Sequence, residues 1–188
     1  EPDSLLKAKE IDTYRDFAVA RSGKNETYVI ENELVRAHIS SKGGYISKVE
    51  LKTYKKYGGE KPLVLFSGDS TRFALALNLY DRSRIFYTDE FYFTPVKQTS
   101  NSIVMRLETA KPGSYLDFEY SLAPEDYMVN SAISLTGMGQ MISQTEDQLQ
   151  LTWKLLYPSQ EKNIEKEREA ATVYFKQTVN EPDYLSPA

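Results

Sequence analysis

Residues 31–51, ENELVRAHISSKGGYISKVEL, contain the pattern that predicts the fold of this chain. Before the two glycines, residues 34–39 alternate apolar and polar side chains, which is typical of a half-buried strand. Gly43 and Gly44 then allow the backbone to reverse sharply, because glycine adopts positive φ angles without steric cost. Apolar residues resume after the pair. The stretch therefore predicts a strand, a tight turn and a second strand.

The same alternation with a period of two recurs along most of the chain. It is found in residues 73–79, 103–107, 116–122, 129–135 and 149–155. Turn residues separate these segments, for example Lys111-Pro112-Gly113 and residues 136–139. Many short strands joined by turns predict an all-β fold of antiparallel sheets, packed as a sandwich or closed as a barrel.

Two segments depart from the strand pattern, and they set the predicted domain organisation. Residues 160–171 are rich in helix formers and charge, and predict a short solvated helix or mobile loop before a last strand. Residues 1–26 lack a clear period and predict a linker or short helix. We therefore expect a β-domain over residues 27–180 and a truncated C-terminal tail over residues 181–188.

Length and composition narrow the possible functions. With 188 residues, the chain has the size of one ordinary domain. Its 23 basic and 27 acidic residues give a net charge of −4, which does not favour nucleic acid as a partner. The absence of cysteine excludes disulfides, thiol catalysis and cysteine-ligated zinc. No apolar run approaches the roughly 20 residues needed to span a bilayer. The chain also lacks an initiator methionine, so we expect a soluble fragment of a longer protein.

Few residues suggest catalysis. The single histidine, His38, lies on a predicted strand without a metal-ligand or triad motif around it, so a structural or surface role is favoured. Asp117 and Glu119 share one face of a strand and could in principle act as paired carboxylates on a glycosidic bond. Their alternation with Leu116 and Phe118 instead predicts that this face is solvated. The glycine pairs match no phosphate-binding loop, and no cofactor or metal is expected.

An aromatic cluster in residues 86–93, FYTDEFYF, is the best candidate for a contact site. Aromatic rings with polar groups suit both sheet cores and the surfaces that bind peptides or sugars. Packing in the core is the favoured interpretation, since one side of a strand is normally buried. A partner-binding groove is the alternative, and its candidate residues are Phe86, Tyr87, Phe91, Tyr92 and Phe93.

In their order along the chain, several motifs resemble the large periplasmic domain of YidC-type membrane protein insertases. Residues 31–51 resemble its first strand, Ser/Thr-x-x-Gly-Gly turn and next strand, which ends in Leu51-Lys52-Thr53-Tyr54. Residues 61–66 resemble the following strand. Residues 116–129 resemble its element of a strand, a turn, an Asp-Tyr pair (Asp126-Tyr127) and another strand. The similarity extends over about residues 27–180.

The resemblance implies a β-supersandwich, similar in fold to galactose mutarotases, on the periplasmic face of the bacterial inner membrane. It implies no enzymatic activity in this domain and no cofactor. It further implies a multi-pass parent protein that integrates and folds inner-membrane proteins. The partners would be Sec-translocon components and nascent membrane proteins, reached through that parent.

Two other classes of function remain open from the sequence. One is a carbohydrate-binding module, or a mutarotase-like enzyme on the same kind of sandwich, for which the aromatic cluster is the motive. A mutarotase would be expected to use several histidines, and one is too few. The other is a surface adhesion or scaffold sandwich, which strand patterns alone do not distinguish.

Overall fold

The computed structural model describes residues 2–68, 71–80, 84–143, 148–177 and 179–185, with side chains from residue 8 onwards. Most of the chain in these ranges is β-structure. In chain order the elements are helix α1 (Pro2–Tyr14), a 3-10 helix (Arg15–Ala20), β1 (Thr27–Glu31), β2 (Val35–Ser40), β3 (Ile46–Lys55), β4 (Pro62–Ser67), β5 (Arg72–Asn78), β6 (Ile85–Tyr87), a 3-10 turn (Thr88–Glu90), β7 (Thr94–Gln98), β8 (Ser102–Glu108), β9 (Tyr115–Leu122), β10 (Val129–Thr136), β11 (Leu151–Lys154), helix α2 (Ile164–Ala170), β12 (Val173–Phe175) and β13 (Asp183–Leu185).

The strands form antiparallel sheets, as the alternation predicted. One sheet has the order β1-β2-β3-β4, a second has the order β10-β9-β8-β7, and a third has the order β11-β5-β6. Strands β12 and β13 pair separately near the end of the chain. The predicted all-β class is confirmed, and the charged segment near the C-terminus forms the short helix α2, none of whose residues is buried.

The glycine pair makes the predicted reversal between β2 and β3. Gly43 has φ 83° and Gly44 has φ 67°, values that side chains with a Cβ atom rarely adopt. The two strands then run antiparallel, with Ala37 opposite Val49. The prediction of a strand, a tight turn and a second strand over residues 31–51 is therefore confirmed.

Two sheets face each other across the core. Phe73 on β5 makes an edge contact with Phe118 on β9, with ring centroids 5.7 Å apart. The apolar face of β9 is fully covered, since Leu116 and Phe118 are at most 1% exposed. Strand β5 is buried on both faces, because Ala74 and Ala76 are as inaccessible as Leu75. The result is a layered sandwich around one cluster of buried side chains.

The N-terminal residues pack on this core. Phe17 in the first 3-10 helix is 1% exposed, and its ring lies 5.6 Å from the ring of Phe86 and 5.7 Å from that of Phe91. The N–H of Ala110 donates to the carbonyl of Asp16 at 2.7 Å. The start of the chain, where a linker or short helix was expected, is thus a helix attached to the sandwich. In the described ranges, no helix is long and apolar enough to cross a membrane.

One expectation about solvation is wrong for Asp117. Glu119 is exposed, but Asp117 is only 6% exposed. Arg106 lies directly opposite on β8 and donates to both carboxylate oxygens at 2.8 Å, while its guanidinium lies over the ring of Tyr115. This ion pair raises the pKa of Arg106. Asp117 is therefore one half of a cross-strand ion pair, and both of its oxygens are occupied.

Candidate functional site

The aromatic cluster lies directly against the glycine turn. The N–H of Gly43 donates to the carbonyl of Phe91 at 2.8 Å, and the N–H of Phe93 donates to the carbonyl of Ser41 at 2.7 Å. Between these two hydrogen bonds, Lys42 and Tyr92 are paired in an antiparallel β-bridge. Residues 91–93 therefore run beside residues 41–43 as a short ladder. We call residues 41–44 and 88–93 together the turn junction.

Close packing at the turn junction requires both glycines. A Cβ atom on Gly44 would lie 2.6 Å from carbons of the Phe93 ring. A Cβ atom on Gly43 would lie 2.7 Å from the Tyr45 ring and 3.3 Å from the Cα atom of Asp89. A larger residue at either position would be unfavourable for two reasons: the backbone has a positive φ angle, and the aromatic rings leave no room for a Cβ atom.

The five candidate contact residues divide into two groups. Phe86, Phe91 and Phe93 are at most 3% exposed, and the ring of Phe93 stacks on Phe118 with centroids 5.0 Å apart. These three phenylalanines are core residues, as the favoured interpretation held, and in the folded domain they present no surface to a partner. Tyr87 and Tyr92 are only half-buried. Of the proposed contact site, these two tyrosines are the part that reaches the surface.

Each of the two tyrosines lies beneath a cation. The Nζ atom of Lys42 is 4.4 Å from the ring centroid of Tyr92, and the guanidinium carbon of Arg72 is 5.2 Å from that of Tyr87. Arg72 is fixed in turn by Asp89, whose Oδ2 accepts from Nε at 2.7 Å. Cations placed over aromatic faces attract the ring electrons and restrict both side chains. The arrangement is a surface of two aromatic rings, each beside a cation that is itself bonded to an acidic side chain or a backbone carbonyl.

Glu90 connects this surface to the N-terminal helix. Its carbonyl accepts hydrogen bonds from Arg21 Nη1 at 2.6 Å and from Lys42 Nζ at 2.7 Å. Its carboxylate accepts from the Tyr14 hydroxyl at 3.3 Å. Burial, and next the neighbouring charge of Arg21, lower the pKa of Lys42. The N-terminal residues and the turn junction are thus one hydrogen-bonded unit.

A second surface brings together two motifs that are far apart in the sequence. Tyr54 and Tyr127 are 52% and 43% exposed, and their ring centroids are 6.0 Å apart. Asn32 holds the region in place. Its Nδ2 donates to the carbonyls of Ala123 and Asp126, each at 2.7 Å, and its Oδ1 accepts from two backbone N–H groups at the start of β2. We call Tyr54 and Tyr127 the tyrosine pair. The sequence motifs of both tyrosines carry the family resemblance, but their contact is visible only in the structure.

His38 faces a cluster of charges on the outer side of the first sheet. Its Nε2 lies 3.7 Å from Glu50 Oε1, and Arg36 and Lys48 also approach that carboxylate. Burial, followed by the charge of Lys48, lowers the pKa of His38. Among the described residues, no three His, Cys, Asp or Glu side chains are grouped so as to hold a metal ion.

Because its pKa is lowered by folding, His38 should make the domain less stable in mild acid. Protonation is then easier in the unfolded chain, so stability falls as pH drops through the ordinary histidine value of about 6.5. His38 is the single histidine of the chain. We expect His38→Gln to reduce the loss of unfolding free energy between pH 7.5 and 5.5, measured by urea denaturation. Identical pH profiles for the two proteins would contradict this account of His38.

Comparison with known proteins identifies the family. A family model described as the YidC periplasmic domain matches residues 27–185. A relative from Parabacteroides distasonis, named membrane protein insertase YidC, is 36% identical over 98% of this chain. Relatives of the same name from Porphyromonas gingivalis and Cytophaga hutchinsonii are 34% and 28% identical over 98% and 99% of the chain. The comparison with solved structures gave no match.

The chain is therefore an all-β domain of the periplasm, and it belongs to the YidC periplasmic domain family. The resemblance noted in the glycine turn and the Asp-Tyr element is confirmed. The chain spans about 29% of the length of the relatives from Parabacteroides distasonis and Porphyromonas gingivalis.

Proposed function

We propose that this domain is a non-catalytic part of a multi-pass membrane protein insertase and serves as its periplasmic docking surface. Its partners would be Sec-translocon components or segments of nascent membrane proteins. Two findings support the proposal: relatives that are named membrane protein insertases, and the half-buried surface formed by Tyr87 and Tyr92, each with a cation over its ring. The proposal depends mainly on the surface of Tyr87 and Tyr92, because these are the residues that would contact a partner.

The geometry of the surface formed by Tyr87 and Tyr92 suits recognition. Tyrosine offers an apolar ring and a polar hydroxyl with few rotatable bonds, so ordering it on binding costs little entropy. Here Lys42 and Arg72 already restrict the two rings. The buried phenylalanines beneath them hold the backbone in place. A partner would therefore meet a surface that needs little rearrangement.

The arrangement of acidic and basic groups supports a role without catalysis. Asp117 has both carboxylate oxygens bound by Arg106, and Glu50 lies among three basic side chains. The hydrogen bond from Lys48 lowers the pKa of Glu50, whereas a general acid needs a raised pKa. These groups act as structural ion pairs in this proposal.

Replacing both contact tyrosines should weaken binding without unfolding the domain. We expect Tyr87→Ala/Tyr92→Ala in the full-length protein to weaken binding at least about tenfold, since loss of two interface tyrosines typically removes more than about 1.4 kcal/mol. The measurement is the affinity for purified Sec translocon and, separately, for a ribosome-bound nascent membrane protein. The matched control is Tyr54→Ala/Tyr127→Ala, which removes the tyrosine pair instead. Unchanged affinity for both partners in the first variant would contradict the proposal.

A further inference from the structure

The polar groups that the proposed docking surface leaves free are hydrogen-bond donors. Arg72 binds Asp89 through Nε alone, and its two terminal nitrogens have no partner among the described residues. Lys42 Nζ donates to the carbonyl of Glu90 and, as an ammonium group, has two further N–H bonds to offer. The hydroxyl of Tyr92 also lacks a partner in the described ranges. The surface can therefore donate several hydrogen bonds to a bound molecule.

The acceptors of the same surface are already bonded or buried. Asp89 Oδ2 accepts from Arg72 at 2.7 Å, and its Oδ1 atom is shielded from solvent. Glu90 Oε1 accepts from the backbone N–H of Tyr87, and Oε2 accepts from the hydroxyl of Tyr14, both at 3.3 Å. A bound molecule would meet mainly donors here, so it must itself supply the acceptors.

Two cations lie side by side at this surface. Arg21 Nη1 and Lys42 Nζ donate to one carbonyl oxygen, that of Glu90. Burial of Lys42, followed by the charge of Arg21, lowers the pKa of Lys42. An anionic group bound beside the two cations would offset their repulsion, because opposite charges at short range attract.

The tyrosine rings leave little open face for stacking. Lys42 Nζ lies 4.4 Å from the ring centroid of Tyr92. The backbone of Gly23 packs against the same ring, since a Cβ atom on Gly23 would lie 2.7 Å from Tyr92 Cγ. The guanidinium of Arg72 lies over the ring of Tyr87 at 5.2 Å. Apolar segments and sugars contact aromatic residues mainly through the ring face. They therefore fit this surface less well than a ligand that bonds to its cations and hydroxyl.

Carboxylates are the acceptors that match these donors. A guanidinium with both terminal nitrogens free can bind a carboxylate through two parallel hydrogen bonds. Clusters of basic side chains recognise acidic peptide segments in this way. An extended anionic surface, such as a membrane, is a poorer match, because the chain as a whole has a net charge of −4. A short acidic segment would meet the cations without approaching the rest of the chain.

We propose that Arg72, Lys42 and the hydroxyl of Tyr92 bind side-chain carboxylates of an acidic polypeptide segment. The inference rests on the proposed docking function and specifies the chemistry of the partner. One carboxylate pairs with the terminal nitrogens of Arg72, and another pairs with Lys42. Asp89 and Glu90 are consecutive residues that hold these two cations, so one segment can reach both.

The test compares two labelled peptides on the unaltered full-length protein, held in nanodiscs of a neutral phospholipid. One peptide is rich in Asp and Glu, and the other has Asn and Gln at the same positions. Affinity is measured by fluorescence anisotropy. We expect the acidic peptide to bind at least about tenfold more tightly, since several charge-assisted hydrogen bonds are replaced by neutral ones. Raising the salt from about 50 to about 300 mM should weaken its binding at least about threefold.

Charge-neutralising variants locate the binding. Lys42→Gln/Arg72→Gln should weaken binding of the acidic peptide at least about fivefold. The control Lys24→Gln/Lys97→Gln removes the same charge from two exposed lysines and should change the affinity less than about twofold. Lys24 is bonded instead to Glu26, at 3.3 Å, and Lys97 lies on β7. Because the comparison of peptides needs no variant, it decides the proposal even where a variant folds poorly.

Three results would overturn the proposal. Equal affinity for the two peptides, lost in Tyr87→Ala/Tyr92→Ala, would leave the docking surface in place but exclude a preference for acidic segments. No binding of either peptide would also exclude it, and the docking function would still be tested by the affinities for Sec translocon and nascent chains. Displacement of the acidic peptide by phosphatidylglycerol vesicles, as effective as that by an equal charge of unlabelled peptide, would assign the cations to lipid headgroups.

Discussion

Replacing Phe91 by alanine is expected to lower the free energy of unfolding by about 3–5 kcal/mol, the usual cost of removing a buried aromatic ring. Phe91 is fully buried, and its ring contacts those of Tyr14, Phe17 and Phe86 at centroid distances of 5.8, 5.7 and 6.0 Å. Removing it leaves a cavity where the N-terminal helix meets the turn junction. The loss should appear as a lower urea midpoint, followed by circular dichroism.

Two further variants make this prediction specific to burial. Phe91→Leu retains most of the volume and should cost less than about 1.5 kcal/mol. Tyr92→Ala, at the next residue, removes a half-buried ring and should cost about 1 kcal/mol. If Phe91→Ala were no more destabilising than Tyr92→Ala, the division of the aromatic cluster into core phenylalanines and surface tyrosines would be wrong.

Gly44→Ala should destabilise the domain by about 3 kcal/mol, from two causes that add. Placing a Cβ atom at positive φ costs roughly 1–2 kcal/mol. Displacing a buried ring in a packed core costs about 1–3 kcal/mol more. At Gly44 the new atom would lie 2.6 Å from the Phe93 ring, which itself stacks on Phe118. The measurement is again the unfolding free energy from urea denaturation.

Gly58 provides the matched control for this substitution. It has φ 69°, close to that of Gly44, but a Cβ atom there would meet nothing within 4 Å. Gly58→Ala should therefore cost only the backbone part, about 1 kcal/mol. Equal losses at the two glycines would mean that the contact with Phe93 contributes nothing, and that the glycine turn is required for its backbone angles alone.

The fold was predictable where local chemistry determines it. Alternation of apolar and polar residues fixes which segments form strands, and the glycine pair fixes the reversal between β2 and β3. Both are properties of a few neighbouring residues. The aromatic cluster was ambiguous for the same reason, because adjacent rings on a strand point to opposite sides. Which side is buried depends on Phe118 and Phe17, which are distant in sequence.

Register and long-range contacts were not predictable from the pattern. Alternation placed Asp117 on the outer face of β9 and predicted that it is solvated, but the cross-strand register puts Arg106 opposite it, and Asp117 is only 6% exposed. The contact between Tyr54 and Tyr127 likewise depends on how β3 and the turn before β10 meet. The ring contacts of Phe17 were also not predictable, because a short segment with few apolar residues shows no hydrophobic period.

The division between buried and exposed rings leads to the central claim, that Tyr87 and Tyr92 form the surface through which this domain docks. Site-specific photocrosslinking in the full-length protein, in living cells, tests it most directly. A photoreactive phenylalanine analogue replaces Tyr87 or Tyr92, and the same analogue at Tyr54, which is more exposed than either, serves as an aromatic control. We predict adducts with Sec-translocon subunits or nascent membrane proteins at positions 87 and 92, with yields at least fivefold above that at position 54. Yields at 87 and 92 no higher than at 54 would contradict the claim.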